Sequence, residues 1–179
     1  MRIISGSHRG RRLHPPPRLP VRPTTDFAKV GLFNVLNNLV DFEGLRVLDL
    51  FAGTGSISFE FLSRGAGEVI AVDKHPGCIT YIGRIGEELR PGILLAVRGD
   101  VFRYIRSAGK TFELVFADPP YDLEAIESIP GLVLGSRLLE SDGWFILEHS
   151  REYDFSGTPG FYQKRTYGNV NFSLFRSLS

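Results

Sequence analysis

The stretch Val47-Leu48-Asp49-Leu50-Phe51-Ala52-Gly53-Thr54-Gly55-Ser56 decides the fold. A short apolar strand ends in a carboxylate and is followed by a tight glycine turn and a helix start. Glycines at the turn let the backbone approach a ligand with no Cβ in the way. Outward from this point the pattern alternates. Apolar β-type runs stand at Arg46–Leu50, Glu68–Val72, Ile93–Val97, Phe112–Ala117 and Trp144–Leu147, with helix-like stretches at 56–64, 76–89, 101–107 and 123–140 between them. Short apolar strands alternating with helices predict an α/β domain with a largely parallel, buried sheet. Toward the end, Phe161–Thr166 and Val170–Arg176 flank Tyr167-Gly168-Asn169, the pattern of an antiparallel hairpin at one sheet edge. Before the first strand, a helix is predicted over 26–39, capped by Thr25 or Asp26, with Phe27, Val30, Leu32, Phe33, Leu36 and Leu39 as its apolar side.

The chain has 179 residues, enough for one compact domain. Its single cysteine, Cys78, excludes an internal disulfide framework and a cysteine-based metal cage and fits a reducing compartment. No apolar run approaches the roughly 20 residues of a bilayer span. The N-terminus has no continuous apolar core of signal-peptide type, so a mature, cytoplasmic protein is expected. The histidines show no metal-ligand spacing, and no metal is expected.

The net charge of +1 hides an asymmetry. Residues 1–25 carry six arginines (Arg2, Arg9, Arg11, Arg12, Arg18 and Arg22) and no acid, so the other 15 basic residues stand against 20 acids, a balance of −5. A basic arm on an acidic body points to a polyanionic partner. The arm also contains Ile3, Ile4, Leu13, Leu19 and Val21, and is expected to form a strand or hairpin followed by a segment stiffened by Pro15, Pro16 and Pro17.

Two cofactor classes use a glycine turn at a strand end. Dinucleotides favour G-x-G-x-x-G, with pyrophosphate at the helix N-terminus. Here Ser58 takes the third glycine position, and Asp49 lies four residues before Gly53, poor company for a pyrophosphate. The carboxylate suits instead the sulfonium and ammonium cations of S-adenosylmethionine. Asp73, closing the second strand, is placed to take ribose hydroxyls. Asp100, after the third, is placed to accept from the adenine amine or to cap the next helix. The expected cofactor contacts are Asp49, Phe51, Ala52, Gly53, Thr54, Gly55, Asp73, Lys74, Asp100 and Val101.

After the fourth strand comes Asp118-Pro119-Pro120-Tyr121. Two prolines fix the backbone and remove two N–H donors, leaving carbonyl and carboxylate acceptors beside an aromatic face. That describes a pocket for a planar base bearing an amine. Accepting the amine hydrogens at Asp118 and the Pro119 carbonyl directs the nitrogen lone pair at the methyl, so catalysis is mainly positioning and electrostatics. A carboxylate only accepts, and guanine offers N1–H and N2–H as adjacent donors, which favours guanine over adenine.

These residues, taken with Arg2-Ile3-Ile4-Ser5-Gly6, Arg9-Gly10-Arg11, Arg22-Pro23-Thr24-Thr25-Asp26, Leu32-Phe33-Asn34, Leu62-Ser63-Arg64-Gly65-Ala66 and Lys164-Arg165-Thr166-Tyr167-Gly168, resemble the RsmD-type enzymes over nearly the whole chain. That family methylates guanine N2 in bacterial 16S ribosomal RNA. The resemblance implies a Rossmann-like class I methyltransferase fold, with a mostly parallel seven-stranded sheet, over 26–179 and a basic RNA-contacting arm over 1–25. It implies S-adenosylmethionine as cofactor, catalysis at Asp118 to Tyr121, and a monomer acting on an assembling small ribosomal subunit. It also implies RNA contacts from Arg9, Arg11, Arg12, Arg22, Thr24 and Thr25, with 22–26 folding over the site. One departure stands out: the family usually has a glutamate after the basic residue of the first helix, where this chain has Val30. The alternatives are a related amino-methyltransferase acting on adenine or a protein amide, a catalytically silent RNA-assembly factor, and a nicotinamide oxidoreductase.

Overall fold

A computed structural model describes residues 1–19 and 24–177. The elements run α1 (Asp26–Leu36), β1 (Arg46–Leu50), α2 (Ser56–Ser63), β2 (Glu68–Asp73), α3 (Pro76–Leu89), β3 (Leu94–Arg98), α4 (Val101–Ser107), β4 (Phe112–Ala117), α5 (Ile129–Leu134), β5 (Leu139–His149), β6 (Phe161–Tyr167) and β7 (Val170–Arg176). The seven strands form one sheet in the order β3-β2-β1-β4-β5-β7-β6. β1 to β5 are parallel to one another, β7 runs antiparallel to β5, and β6 runs antiparallel to β7. This is the predicted α/β class, with the C-terminal hairpin at the predicted edge. Its two-residue turn is closed by Gly168 at φ +62°, a conformation few other residues accept.

Period-two burial splits the core into two layers. Val47, Leu114, Phe116, Ile146 and Phe172 pack under α1, α2 and α3 on one face. Leu48, Leu50, Val115, Leu147 and Phe175 pack with α4 and α5 on the other. The chain leaves β1 toward β2 and β3, then returns across the sheet to β4 on the other side of β1. β1 and β4 therefore flank the topological switch point, where α/β sheets open a crevice at the carboxyl ends of the strands.

Two expectations need correction. The helix predicted over 123–140 is a single 3-10 turn at Ile126–Ser128 followed by the six-residue α5, and β5 begins as early as Leu139 rather than at Trp144. Pro130 starts α5, Gly135 ends it, and the β4–β5 register shifts between Phe112 and Leu114, so β5 picks up extra residues ahead of its apolar run. Helix α1 ends at Leu36, and its buried side is Ala28, Lys29, Gly31, Leu32, Phe33 and Leu36, while Phe27 is 68% exposed. A Cβ on Gly31 would lie 2.2 Å from the Tyr167 ring, whose hydroxyl donates to the Gly31 carbonyl at 3.0 Å. That close approach rotates the helix and binds it to the β6–β7 hairpin.

The arm folds back on itself. Arg2 and Arg12 form an antiparallel bridge, and Ile3 and Leu13 are buried with the apolar residues of α1 to α3.

Candidate active site

Five adjacent parallel strands each end in or near a carboxylate on the switch-point rim: Asp49 on β1, Asp73 on β2, Asp100 after β3, Asp118 after β4 and Glu148 on β5. Side-chain alternation puts Asp49 and Glu148 on the α1–α3 face, because Asp49 pairs with Phe116 and Glu148 with Phe172, both of that layer.

Asp49 is buried. Its Oδ2 accepts from the Ser58 amide at 3.1 Å and from the Ser58 hydroxyl at 2.5 Å. Ser58, where a dinucleotide fold has glycine, is thus the partner that holds Asp49 in place. Burial pushes the Asp49 carboxyl up to about 7; the Ser58 hydrogen bonds oppose this, and Asp73 adds to it. A carboxyl so desolvated gains most from a cation or donor brought against it.

The glycine turn is built as predicted. Gly53 and Gly55 sit at φ +55° and +78°. A Cβ on Gly55 would meet Ile82 at 2.9 Å and the Phe59 ring at 3.0 Å, so this glycine serves helix packing as well as the turn. Phe51 adopts φ +59°, rare for a bulky residue and costing on the order of 1–3 kcal/mol. Its ring packs edge-on against Phe102. Asp73 spends one acceptor site of each oxygen on the backbone, taking Gly53 N–H at 2.9 Å and His75 N–H at 2.8 Å. It therefore pins the turn to β2, and each oxygen keeps a second lone pair. Asp100 caps α4 through Oδ1, which accepts from Arg103 N–H at 2.8 Å. Lys74 is exposed, and Val101 is buried in the α4 layer. Thr54 is buried, with its hydroxyl against the Met1 sulfur at 3.8 Å. Ala52 is half-buried and donates to the Val72 carbonyl at 3.0 Å.

Across the switch point, Asp118 is half-buried and its amide donates to the Leu50 carbonyl at 3.3 Å, tying the Asp-Pro-Pro-Tyr loop to β1. Pro119 is buried, Pro120 is exposed, and Tyr121 is 55% exposed. Burial pushes the Asp118 carboxyl up to about 7, with the charge of Asp49 adding to it.

Glu148 was not foreseen from the sequence. It is 4% exposed, and its Oε2 is buried without a hydrogen-bond partner. Burial first, then Asp118 and Asp49, push its carboxyl up to about 9. The available signal was a single acid within the apolar run Phe145-Ile146-Leu147-Glu148.

The arm sits beside this rim. Glu60, fully buried on α2, accepts from Ile4 N–H at 2.9 Å and Ser5 N–H at 3.0 Å, and pairs with Lys29 at 3.7 Å and Arg64 at 3.0 Å. Lys29 in turn donates to the Arg2 carbonyl and to Ser56 at the start of α2. Of the predicted RNA contacts, Arg9 and Arg12 are exposed, with no ion pair among the described residues, whereas Arg11 is held by Glu88 of α3 at 3.0 Å. Thr25 caps α1, Thr24 is half-buried, and Arg22 lies outside the described residues. A separate cleft lined by Asp41, Glu43, Glu113, Asp142, Trp144 and Arg176 opens at the amino ends of the strands. It is rimmed by acids and lies at the amino ends of the strands, whereas α/β sheets bind ligands at the carboxyl ends, so ligand chemistry belongs to the opposite rim. Among the described residues no helix is long and apolar enough to cross a membrane, and no group of three or more His, Cys, Asp or Glu side chains is arranged to hold a metal.

Comparison with known proteins agrees with this geometry. Residues 1–176 match the family described as Conserved hypothetical protein 95. The chain is 35% identical to the Bacillus subtilis protein named "Putative rRNA methyltransferase YlbH", over 98% of both chains. It is 31% identical to ribosomal RNA small subunit methyltransferase D of Escherichia coli, over 80% of this chain and 69% of that one. A solved protein from a Thermus species superposes with a TM-score of 0.83 at 27% identity, over 98% of both chains. A glycine turn beside a buried carboxylate, an Asp-Pro-Pro-Tyr loop across the switch point and a family match from the arm to the last strand converge, and the chain belongs to the RsmD family of ribosomal RNA methyltransferases.

Proposed function

We propose that this chain is an S-adenosylmethionine-dependent methyltransferase acting on the exocyclic N2 amine of a guanine in small-subunit ribosomal RNA. The observation that carries the reading is the pairing, on neighbouring strands, of buried Asp49 at the glycine turn with Asp118 on its proline-fixed loop, both carboxyls raised to about 7 by burial. Two desolvated carboxyls side by side ask for positive charge and for donors. S-adenosylmethionine supplies a methyl group activated by a sulfonium cation. Asp49 faces that cation. Phe51 to Gly55 form the floor, Asp73 with Lys74 the ribose side, and Asp100 with Val101 the adenine side. Asp118 and the Pro119 carbonyl accept from the guanine amine and hold its lone pair toward the methyl, while Pro120 keeps the loop rigid and Tyr121 offers a stacking face. A base within a duplex must first be flipped out. This chemistry is positioning and electrostatics and calls for no metal.

The experiment is methyl transfer from radiolabelled cofactor to small ribosomal subunits lacking the modification, followed by nucleoside analysis. Label in N2-methylguanosine is the expected result. Label in an adenosine, in DNA or in protein overturns the substrate assignment, and no label on any acceptor overturns the activity. A ribosomal RNA substrate fits a cytoplasmic enzyme, working as a monomer on an assembling subunit.

The arm over 1–25 is the RNA-binding part of this reading, with the methyltransferase domain over 26–179. Arg9 and Arg12 carry most of the phosphate contact, since Arg11 must first leave Glu88, and Arg22, Thr24 and Thr25 are the further RNA contacts of this reading. Replacing Arg9, Arg11 and Arg12 by alanine is expected to weaken RNA binding and lower the salt dependence of log K by about 2, at roughly 0.7–0.9 per lost phosphate contact. A filter-binding salt series measures it; an unchanged slope removes the arm from the interface.

A further inference from the structure

Among the described residues, Glu148 is a buried carboxyl on the rim that the methyl-transfer reading does not use. It follows Leu147, the last β5 residue paired with β4, as Asp118 follows Leu147's partner Ala117 at the end of β4, which sets the two acids beside each other. It is flanked by Phe172 on β7 and Ile146 on its own strand, both apolar. The charges facing it are Asp118 and Asp49, both negative. The cations of the neighbouring elements are engaged or placed elsewhere. Lys29 of α1 is turned to Glu60 and Ser56, Arg2 of the arm to Asp26, Lys164 of β6 acts on His149 in the opposite layer, and Arg165 of β6, opposite Phe172 and so on the face of Glu148, stands exposed beyond β7.

Three carboxyls in mutual electrostatic reach, with no cation paired to any of them among the described residues, cannot all ionise at neutral pH. The one with a buried oxygen that accepts nothing, Glu148, is where a proton is best kept. As an acid that oxygen becomes a donor, and its natural acceptor is a neighbouring carboxylate.

We propose that Glu148 is a positioning residue for Asp118: it stays a neutral acid that donates toward Asp118, fixing the orientation of the carboxylate that receives the guanine amine, and loss of its proton sets the alkaline limit of the reaction. This rests on the methyltransferase reading for its link to turnover, but not for the proton itself. The raised carboxyls fit the order of events, with both held up by burial and Glu148 keeping its proton after Asp118 has given up its own. Activity then rises as Asp118 ionises and falls as Glu148 does.

Two measurements test this independently. The first is a carbon-13 titration of glutamate carboxyls in the full chain without ligand, with the Glu148 signal identified by its loss in Glu148→Gln. The expected result is a carboxyl that titrates near 9 and moves down in Asp118→Asn, as removal of the neighbouring charge requires. A Glu148 carboxyl already ionised at pH 7 overturns the proposal whether or not the protein methylates RNA. The second is the pH profile of kcat/KM for methyl transfer. Glu148→Leu, which cannot donate, is expected to lower kcat by roughly 10- to 100-fold, the scale for a misplaced acceptor, and Glu148→Gln, whose neutral amide still donates, to recover most of it. Both should leave the cofactor KM within a few-fold, keep the acidic limb and remove the alkaline one. A merely structural role would scale the whole profile without changing its shape. An alkaline limb that persists in either variant belongs to the base or to another group, and sinks the assignment. Absence of turnover in the unmodified protein counts against the function, and the titration still decides Glu148.

Discussion

Asp118→Ala is expected to cut single-turnover methyl transfer by at least about 10²–10³-fold, the usual loss when a preorganised acceptor or donor aimed at the reacting group is removed. The affinity for S-adenosylmethionine should stay within a few-fold. The split follows from the site. Asp49 and the glycine turn, which meet the cofactor in this reading, hang on Ser58, Asp73 and the Val72 carbonyl and draw nothing from the Asp118 side chain. Removing the Asp118 carboxylate leaves the guanine amine hydrogens without their acceptor, and the lone pair stays in the ring. Asp118→Asn restores one acceptor but presents an N–H to a base edge made of donors, so it should recover only a fraction. A calorimetric cofactor titration beside the turnover assay measures both quantities, and a fully active Asp118→Ala variant removes the residue from the chemistry.

The same substitution carries a stability signature that separates lost chemistry from lost folding. Asp118 is raised from an ordinary 3.8 to about 7, so between these values the folded chain holds a proton that the unfolded chain has released. Stability from this group is complete below about 3.8 and is lost as pH rises through about 7. Wild-type protein without ligand therefore loses stability across that window. Asp118→Ala should lose less, melting at or above the wild-type temperature at pH 8. An inactive variant that is also unstable at pH 8 points to a folding defect instead.

Much of this site was legible from the sequence, because strand ends and glycine turns are local signals. Asp49, Asp73, Asp100 and Asp118 each follow an apolar run, and each lies on the predicted rim. What the pattern could not give was the second partner of each group. Asp73 reads as a ligand carboxylate and turns out also to clamp Gly53 and His75; Ser58 reads as a missing glycine and turns out to hold Asp49. Glu148 was invisible because its meaning depends on the register of β5 against β4, a non-local fact. The long helix over 123–140 failed for the same reason. Its apolar residues suit a helix or a strand, and the sheet claimed the last of them, Leu139, for β5. Phe27 fits the apolar side of α1 by spacing, yet the contact between Gly31 and Tyr167 turns it outward.

Glu60→Ala is expected to destabilise the fold by about 3–5 kcal/mol, the cost of leaving a buried charge without its partner. At about 2–4 °C per kcal/mol for a domain of this size, the melting temperature should fall by about 6–20 °C. The cause is not the ion pair alone. Glu60 is fully buried, and its two oxygens serve four groups: Lys29, Arg64 and the amides of Ile4 and Ser5. Its removal strands the Lys29 ammonium, already lowered in pKa by its burial, and orphans two arm amides. Because Lys29 also bridges the Arg2 carbonyl and Ser56 at the start of α2, the arm loosens where Met1 reaches Thr54 of the glycine turn. RNA affinity should then fall together with stability. Combining Glu60→Ala with Lys29→Met removes the stranded charge and should recover part of the loss, though not the part owed to the Ile4 and Ser5 amides. Thermal melts of the two single variants and the double variant give the coupling directly. A double variant no more stable than Glu60→Ala would mean that the arm amides, and not the buried charge, carry the cost.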